Sequence, residues 1–467
     1  MLQIVSPTRG EGWMKLEVIR AVFGGERAWK FDDQPAASRV EFSKPVYIGT
    51  VGFEDNRAHA GNFKIVDGVM FGDSGGNMQR LGAARDTIFT STDLGRSFSG
   101  ANGSNAHLFP LDGRQMFAWP GGKVQCIATG MCSPQPLTDL LTAGGIRNAT
   151  VAEVAADGKL QKRQVTLPTP IRLVGFPDWQ QSPKQFGGSM VVHTLSDGSV
   201  LMTFTVGISG SGTWTGGNRM SLISAKSVDG GNDFHFSAVI ANASWFAGSK
   251  GNSARQGTIT GPTEHDVVEL PGSKHLMAVW RMGAGDGCGQ QQFNISFCLE
   301  VGGYMPYWKA YSSNRGSSWA RPQPIAKVDP PGCARPWMLA LGNMVLLSGG
   351  RQRFANTTDV SLWASSDGGN GWTRYSLSGW HNMLVQNTSY GGLPAKFDAH
   401  VNSTHSPRET SSYTSLLRLP GDAGAIVTYD KTVYEFPNKP PASPFTGKNF
   451  NRVSLFAMRL AVKTRGE

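Results

Sequence analysis

Apolar residues in this chain recur in short alternating runs broken by glycine-containing turns, and not at the spacing of a helix face. SMVVHTLSDGSVLMTFTV (residues 189–206), HDVVELPGSKHLMAVWRM (265–282), PWMLALGNMVLLSGG (336–350) and YTSLLRLPGDAGAIVTYD (413–430) each read as strand, turn, strand. FKIVDGVMFGD (63–73) is a shorter relative. Two further runs, MSLISAK (220–226) and VSLWA (360–364), alternate in the same way and lead into a turn of a second kind.

That second turn is a repeat. Ser-x-Asp-x-Gly-x-x-Trp/Phe occurs from Ser91 to Phe98, Ser227 to Phe234 and Ser365 to Trp372, and from Ser312 to Trp319 with Asn314 in place of Asp. Asp93, Asp229, Asn314 and Asp367 can each accept backbone N–H groups inside the turn, glycine takes a positive φ, and the aromatic residue anchors the loop. The motif therefore reads as structural. Two strands from the first unit and two flanking this turn make a four-stranded antiparallel blade. Successive copies begin 136, 85 and 53 residues apart, and the first gap has room for two blades. Repeated sheets that cannot close their own edges are satisfied by radial closure. The expected fold is all-β, a six-bladed β-propeller of four-stranded antiparallel blades. It spans residues 41–467 behind a lead-in over 1–40, and long insertions around 100–170 and 373–412 supply candidate functional loops.

Composition agrees with many tight turns: 59 of 467 residues are Gly, only 17% are charged, and 10% are aromatic. The net charge of +10 favours anionic ligands, yet the basic residues are scattered and form no run of the nucleic-acid type. No apolar stretch approaches the roughly 18–20 residues needed to span a bilayer. The opening residues lack a secretion signal, but there are seven Asn-x-Ser/Thr sequons, at Asn102, Asn148, Asn242, Asn294, Asn356, Asn387 and Asn402. The cysteines fall as Cys126 with Cys132, Cys288 with Cys298, and Cys333 alone. Two short-loop disulfides or buried free thiols both suit that spacing. Sequons and cysteines together favour the secretory pathway. No Cys/His metal spacing occurs, and His265, His400 and His405 read as polar loop residues.

Candidate chemistry lies at the ends of the hairpins. Glu264 precedes HDVVELPGSKHLMAVW and Arg281 follows it; Tyr413-Thr414-Ser415-Leu416 opens the last hairpin and Tyr429-Asp430 closes it. Arg351 and Arg353 end the hairpin before it, in SGGRQRF. With the four Asp-turns, this pattern over residues 40–465 resembles the sialidase (neuraminidase) superfamily, whose turn motif is the Asp-box. The resemblance implies retaining hydrolysis of terminal sialic acids without cofactor or metal. It makes Tyr413 the nucleophile and Glu264 its base, with Arg281 and Arg351 or Arg353 on the substrate carboxylate. The implied partners are sialylated glycans or other acidic glycoconjugates. The chemistry is coherent, because guanidinium forks hold carboxylates best and a neutral phenol meets no repulsion from the substrate's own anion.

The first hairpin departs from the family. Where Arg-Ile-Pro is expected, the chain reads Asn62-Phe63-Lys64-Ile65. Lys64 or Arg57 remains as the first-blade cation, and Asp73 or Asp86 as the general acid, with Asp73 preferred. This gap keeps two other readings open: a glycan-binding propeller without catalysis, and a hydrolase or lyase for a different acidic sugar.

Overall fold

A computed structural model of the chain describes residues 2–6, 10–14, 38–53, 63–66, 69–73, 88–101, 116–118, 124–126, 140–141, 143–154, 160–176, 186–208, 219–242, 245, 261–283, 307–325, 333–354, 357–390, 392–397, 410, 413–420, 424–434 and 451–464. Among these residues the chain is almost entirely β, with one short helix.

Strands β1 (Leu2–Ser6) and β2 (Gly10–Met14) form a hairpin, and β3 (Ser38–Phe42) and β4 (Val46–Phe53) follow. The first four-stranded sheet holds β5 (Lys64–Val66), β6 (Val69–Asp73), β7 (Ile88–Ser91) and β8 (Ser99–Ala101) in sequence order. Next come β9 (Met116–Ala118), β10 (Val124–Cys126), β11 (Ile146–Val154) and β12 (Leu160–Val174). After them run β13 (Phe186–Thr194), β14 (Val200–Ile208), β15 (Arg219–Ser227) and β16 (Asp233–Asn242). These two antiparallel groups join into one eight-stranded sheet where β12 pairs in parallel with β16. At that seam Arg172 grips Asp233 through Nε and Nη2 at 2.7 and 2.6 Å.

Strands β17 (Gly261–Glu269), β18 (Leu276–Gly283), β19 (Trp308–Ser312) and β20 (Gln323–Pro324) form a further sheet. So do β21 (Cys333–Leu341), β22 (Met344–Phe354), β23 (Thr357–Ser365) and β24 (Thr373–Ser376). The helix α1 (Leu377–Leu384) and the short hairpin β25 (Ser389–Tyr390) with β26 (Leu393–Pro394) follow. The last sheet runs β27 (Thr414–Arg418), β28 (Ala425–Tyr434), β29 (Asn451–Thr464), and then returns to β3, with β4 also on β29. An N-terminal strand thus completes the C-terminal sheet.

The sheets pack face to face in chain order. Leu201 and Leu222 meet Leu276 and Trp280, and Met277 and Val279 meet Val345 and Trp363. Leu346 and Leu362 then meet Val427 and Phe456. The last interface returns to the start, where Ile426, Val453 and Leu455 of the final sheet enclose Phe63, Met70 and Phe89 of the first. The first strands β9, β13, β17, β21 and β27 lie side by side. This is a propeller-like arrangement, and every hairpin expected from the apolar runs forms in it.

The four repeated turns connect the third and fourth strands of their sheets and share one geometry. The Ser hydroxyl accepts from the glycine N–H four residues on, at 2.8–2.9 Å in all four: Ser91 from Gly95, Ser227 from Gly231, Ser312 from Gly316 and Ser365 from Gly369. The side-chain Oδ1 of the Asp or Asn accepts the N–H four residues on. Burial acts to raise Asp93, but hydrogen bonds from Ser97, Ser91 and Arg96 outweigh it and bring the carboxyl down to about 2.

Each turn also docks on the sheet before it. Trp319 donates to Ser224, and Lys309 Nζ and Tyr311 Oη donate to the carbonyls of Gly369 and Gly368 at 2.5 and 3.0 Å. A Cβ on Gly95 would strike Ile426 of the last sheet. The motif fastens neighbouring sheets.

Candidate active site

β17 carries an irregularity at its start. Pro262 pairs with Met282 and His265 with Trp280, so Thr263 and Glu264 together face Arg281 alone. Such bulges turn a side chain out of the regular pleat. Glu264, 6% exposed, turns toward Arg281, whose Nη1 donates to Oε2 at 2.7 Å.

Tyr413 stands immediately before β27. Because β21 lies between β17 and β27 with its first strand beside both, the phenol reaches across to the same point. Its hydroxyl donates to Glu264 Oε1 and Oε2 at 3.1 and 3.2 Å, and Arg281 Nη1 lies 3.3 Å from the phenol oxygen. Three residues separated by 17, 132 and 149 positions therefore share one hydrogen-bonded cluster. Chemically, a phenol hydrogen-bonded to a carboxylate beside a guanidinium has an acceptor for its proton and a cation for the charge left behind. Tyr413 is half-buried.

A second charged group lies two residues on in the same strand. Asp266, 3% exposed, accepts from its neighbour Val267 N at 2.8 Å, from Met338 N of β21 at 2.7 Å, and meets His193 Nε2 of β13 at 3.2 Å. Burial pushes its pKa up, but the His193 hydrogen bond and charge, the Met338 N–H and the nearby Arg335 hold it below the usual carboxylate range. His265 is no loop residue: it is fully buried in β17 with Nε2 2.9 Å from Thr203 Oγ1. Burial, then the charge of Arg335, depresses it to about 3, so it is neutral at pH 7.

Arg335 is a cation that sequence reasoning passed over. It lies in a bulge of β21, where Cys333 pairs with Gly350 and Trp337 with Ser348, next to Ala334 at φ 64°. Its guanidinium is 4% exposed and sits 4.3 Å over the Trp337 ring. The signal was present: Arg335 immediately precedes the run PWMLAL just as Glu264 precedes HDVVEL.

The other expected site residues divide differently. Arg351 lies in β22 opposite Asp359, and Arg353 lies in the same strand; their side chains fall outside the described residues. Asp73 ends β6 opposite Ile88 and Lys64 begins β5 opposite Phe71, again with side chains outside the described residues. Arg57, Asp86, His400, His405, Cys132, Cys288 and Cys298 also fall outside them. Tyr429 points away from the cluster: it is buried, its hydroxyl 2.8 Å from His381 Nδ1, its ring stacked on Phe456. Among the described residues no group of His, Cys, Asp and Glu has the arrangement of a metal site. Among the described residues no helix is long and apolar enough to cross a membrane.

No protein-family model matches the chain, and no curated protein matches it in sequence. Among solved structures, a Dyadobacter fermentans protein described as of unknown function aligns with TM-score 0.49 at 14% identity, over 90% of this chain and 99% of that one. A Penicillium chrysogenum α-L-arabinanase complexed with arabinobiose aligns at 0.46 and 13%, over 90% and 98%. The NanB sialidase of Streptococcus pneumoniae, as its K499G mutant, aligns at 0.43 and 11%, over 88% and 70%. Similarities of this size set neither blade number nor substrate.

Proposed function

We propose that the chain is a retaining glycoside hydrolase of the sialidase type, a six-bladed propeller acting on terminal sialic acids of glycoconjugates in the secretory pathway or outside the cell. The observation that carries this reading is the Tyr413–Glu264–Arg281 cluster, assembled from β17, β18 and the residue just before β27. Four four-stranded groups in chain order between β5 and β20, a fifth at β21–β24 and a sixth completed by β3 support the blade number.

In this reading Glu264 takes the phenol proton as the Tyr413 oxygen attacks the anomeric carbon. The bond to the aglycone oxygen breaks, and that oxygen takes a proton from an acid, for which Asp73 stands as the proposal. A water then attacks the same carbon from the face opposite the Tyr413 oxygen and gives a proton to the now ionised acid, while the aryl glycosidic bond to Tyr413 breaks and its oxygen recovers the proton held by Glu264, releasing the sugar with retained configuration. Arg281 offsets charge on the phenolate and supplies a guanidinium beside the substrate carboxylate. Arg335, or Arg351 and Arg353 farther along β22, would supply the further cation.

An activated aryl sialoside needs little help from an acid and is the substrate of choice for the test. Wild type should release the aglycone, with Glu264→Gln lowering kcat by about 10²–10⁴-fold, the usual worth of proton transfer by a positioned side chain. Turnover of uronic-acid polymers and none of sialosides would replace the substrate class. Binding on a glycan array with no turnover of either would replace catalysis by recognition, the reading that the missing Arg-Ile-Pro favours.

A further inference from the structure

His265 is a polar side chain where packing alone would place an apolar one. From the bulge onward the residues of β17 alternate between two neighbours. His265, Val267 and Glu269 meet Thr203, Leu201 and Ser196 of the sheet before it, while Asp266 and Val268 meet Met338 of the sheet after it. Val267, on the same face as His265, lies in an apolar cluster with Leu201, Leu276 and Trp280. An imidazole fully buried at such an interface costs free energy unless its ring nitrogens find partners. They do. Nε2 meets Thr203 Oγ1 at 2.9 Å, and the ring also hydrogen-bonds to the backbones of Thr263 and Thr203.

The bond to Thr263 links this buried ring to the candidate active site. Thr263 and Glu264 are the two residues that together face Arg281. A bulge takes one residue out of the regular ladder, so its peptide groups need partners from elsewhere. Thr263 is held from two directions: its hydroxyl donates to the Arg281 carbonyl at 3.3 Å, and its backbone bonds to the His265 ring. His265 is the first regularly paired residue after the bulge, opposite Trp280. The ring therefore reaches back past Glu264 and ties the bulge to Thr203 on β14. Glu264 is the residue in between, and its carboxylate accepts from Arg281 Nη1 at 2.7 Å and from the Tyr413 hydroxyl at 3.1 and 3.2 Å.

We infer that His265 is a positioning residue: with Thr203 it pins the bulge that aims Glu264 at Arg281 and at the Tyr413 phenol. The inference deepens the proposed function and rests on Glu264 being the base. His265 acts through the backbone of Thr263 and Glu264, its two predecessors in β17. A carboxylate displaced by about 1 Å from its phenol is enough to cost on the order of 10²-fold in rate.

The test uses the full chain. His265→Leu deletes the ring bonds, Thr203→Val deletes the hydroxyl while keeping the shape of the buried site, and Thr203→Ser restores the hydroxyl. Three readouts are taken: kcat and KM on the aryl sialoside; the ¹⁹F resonance, without substrate, of 3-fluorotyrosine at position 413, where the hydroxyl bonds to both Glu264 oxygens; and the same label at Tyr375 in β24, which follows the fold away from β17. Thr203→Val should lower kcat by about 10-fold and His265→Leu by about 100-fold, each with KM within about twofold. The 413 resonance should shift or broaden in both variants while the 375 resonance stays, and Thr203→Ser should restore kcat and the 413 resonance. Wild-type kcat or an unmoved 413 resonance in Thr203→Val, or equal shifts at 413 and 375, would overturn the inference. Should His265→Leu fail to fold, the two Thr203 variants decide alone. If wild type turns over no sialoside, a 413 shift that Thr203→Ser reverses upholds the pin while the proposed function fails, and an unmoved resonance rejects the pin.

Discussion

Replacing Gly369 with alanine should destabilise the fold far more than the same change at Gly272, although both glycines have positive φ, +89° and +73°. An L-residue in that region costs roughly 1–2 kcal/mol at either site. At Gly272 nothing lies within 4 Å of the added methyl, so the backbone cost stands alone. At Gly369 the methyl would stand 2.6 Å from Met277 Sδ and 3.1 Å from Tyr311 Oη. Met277 is fully buried against the next sheet and has no open side to swing into. Overpacking of this kind adds about 1–3 kcal/mol. It also presses on the Gly369 carbonyl that accepts from Lys309, a lysine whose pKa burial already lowers. Gly369→Ala should therefore lose about 2–5 kcal/mol and Gly272→Ala about 1–2. Urea unfolding followed by tryptophan fluorescence measures both, with unchanged m-values showing that only stability moved. Equal losses would refute the idea that the repeated turn is a fastener between sheets.

Two further predictions concern the cluster and the carboxylate of Asp266. Asp266→Ala removes an acceptor shared by β13, β17 and β21 and should cost about 3 kcal/mol at pH 7, as hydrogen bonds to a buried charge are worth about 1.5–3 each. Its folded pKa is depressed, so its stabilisation is present above the unfolded value near 4 and lost as pH falls below it; the wild-type and Asp266→Ala urea midpoints should converge in acid. Arg281→Lys keeps a charge beside Glu264 but replaces the planar fork with a single ammonium, and should raise KM for the aryl sialoside about tenfold or more while leaving circular dichroism unchanged.

Much of this molecule was legible in its amino-acid order because the interactions concerned are local. The hairpins at 189–206, 265–282, 336–350 and 413–430 announce themselves by alternation around a glycine turn. The Ser-x-Asp-x-Gly turns close their hydrogen bonds within eight residues. Glu264, Arg281 and Tyr413 were singled out because their places relative to those hairpins resemble the sialidase pattern, and the structure brings the three together. What escaped depends on long-range contact. Arg335 had no motif of its own and is distinguished only by the bulge that buries it above Trp337. His265 looked like a loop residue because its burial comes from Thr203, 62 residues away. The helix α1 is eight residues long, too short for a periodic apolar face, and starts on a Ser376 cap that accepts from Gly379 at 3.1 Å. The joining of β12 to β16 rests on an Arg172–Asp233 fork that no local pattern foretells.

The central claim is that Tyr413 forms a covalent bond to the substrate. A sialosyl fluoride carrying a second fluorine next to the anomeric carbon loses its leaving group readily but slows the hydrolytic second step, so a glycosyl-enzyme accumulates. Peptide mass spectrometry after such treatment should find the sugar's mass on the tryptic peptide holding Tyr413, and none in Tyr413→Phe. Hydrolysis of the reagent with no adduct, or an adduct on another residue, would contradict the account.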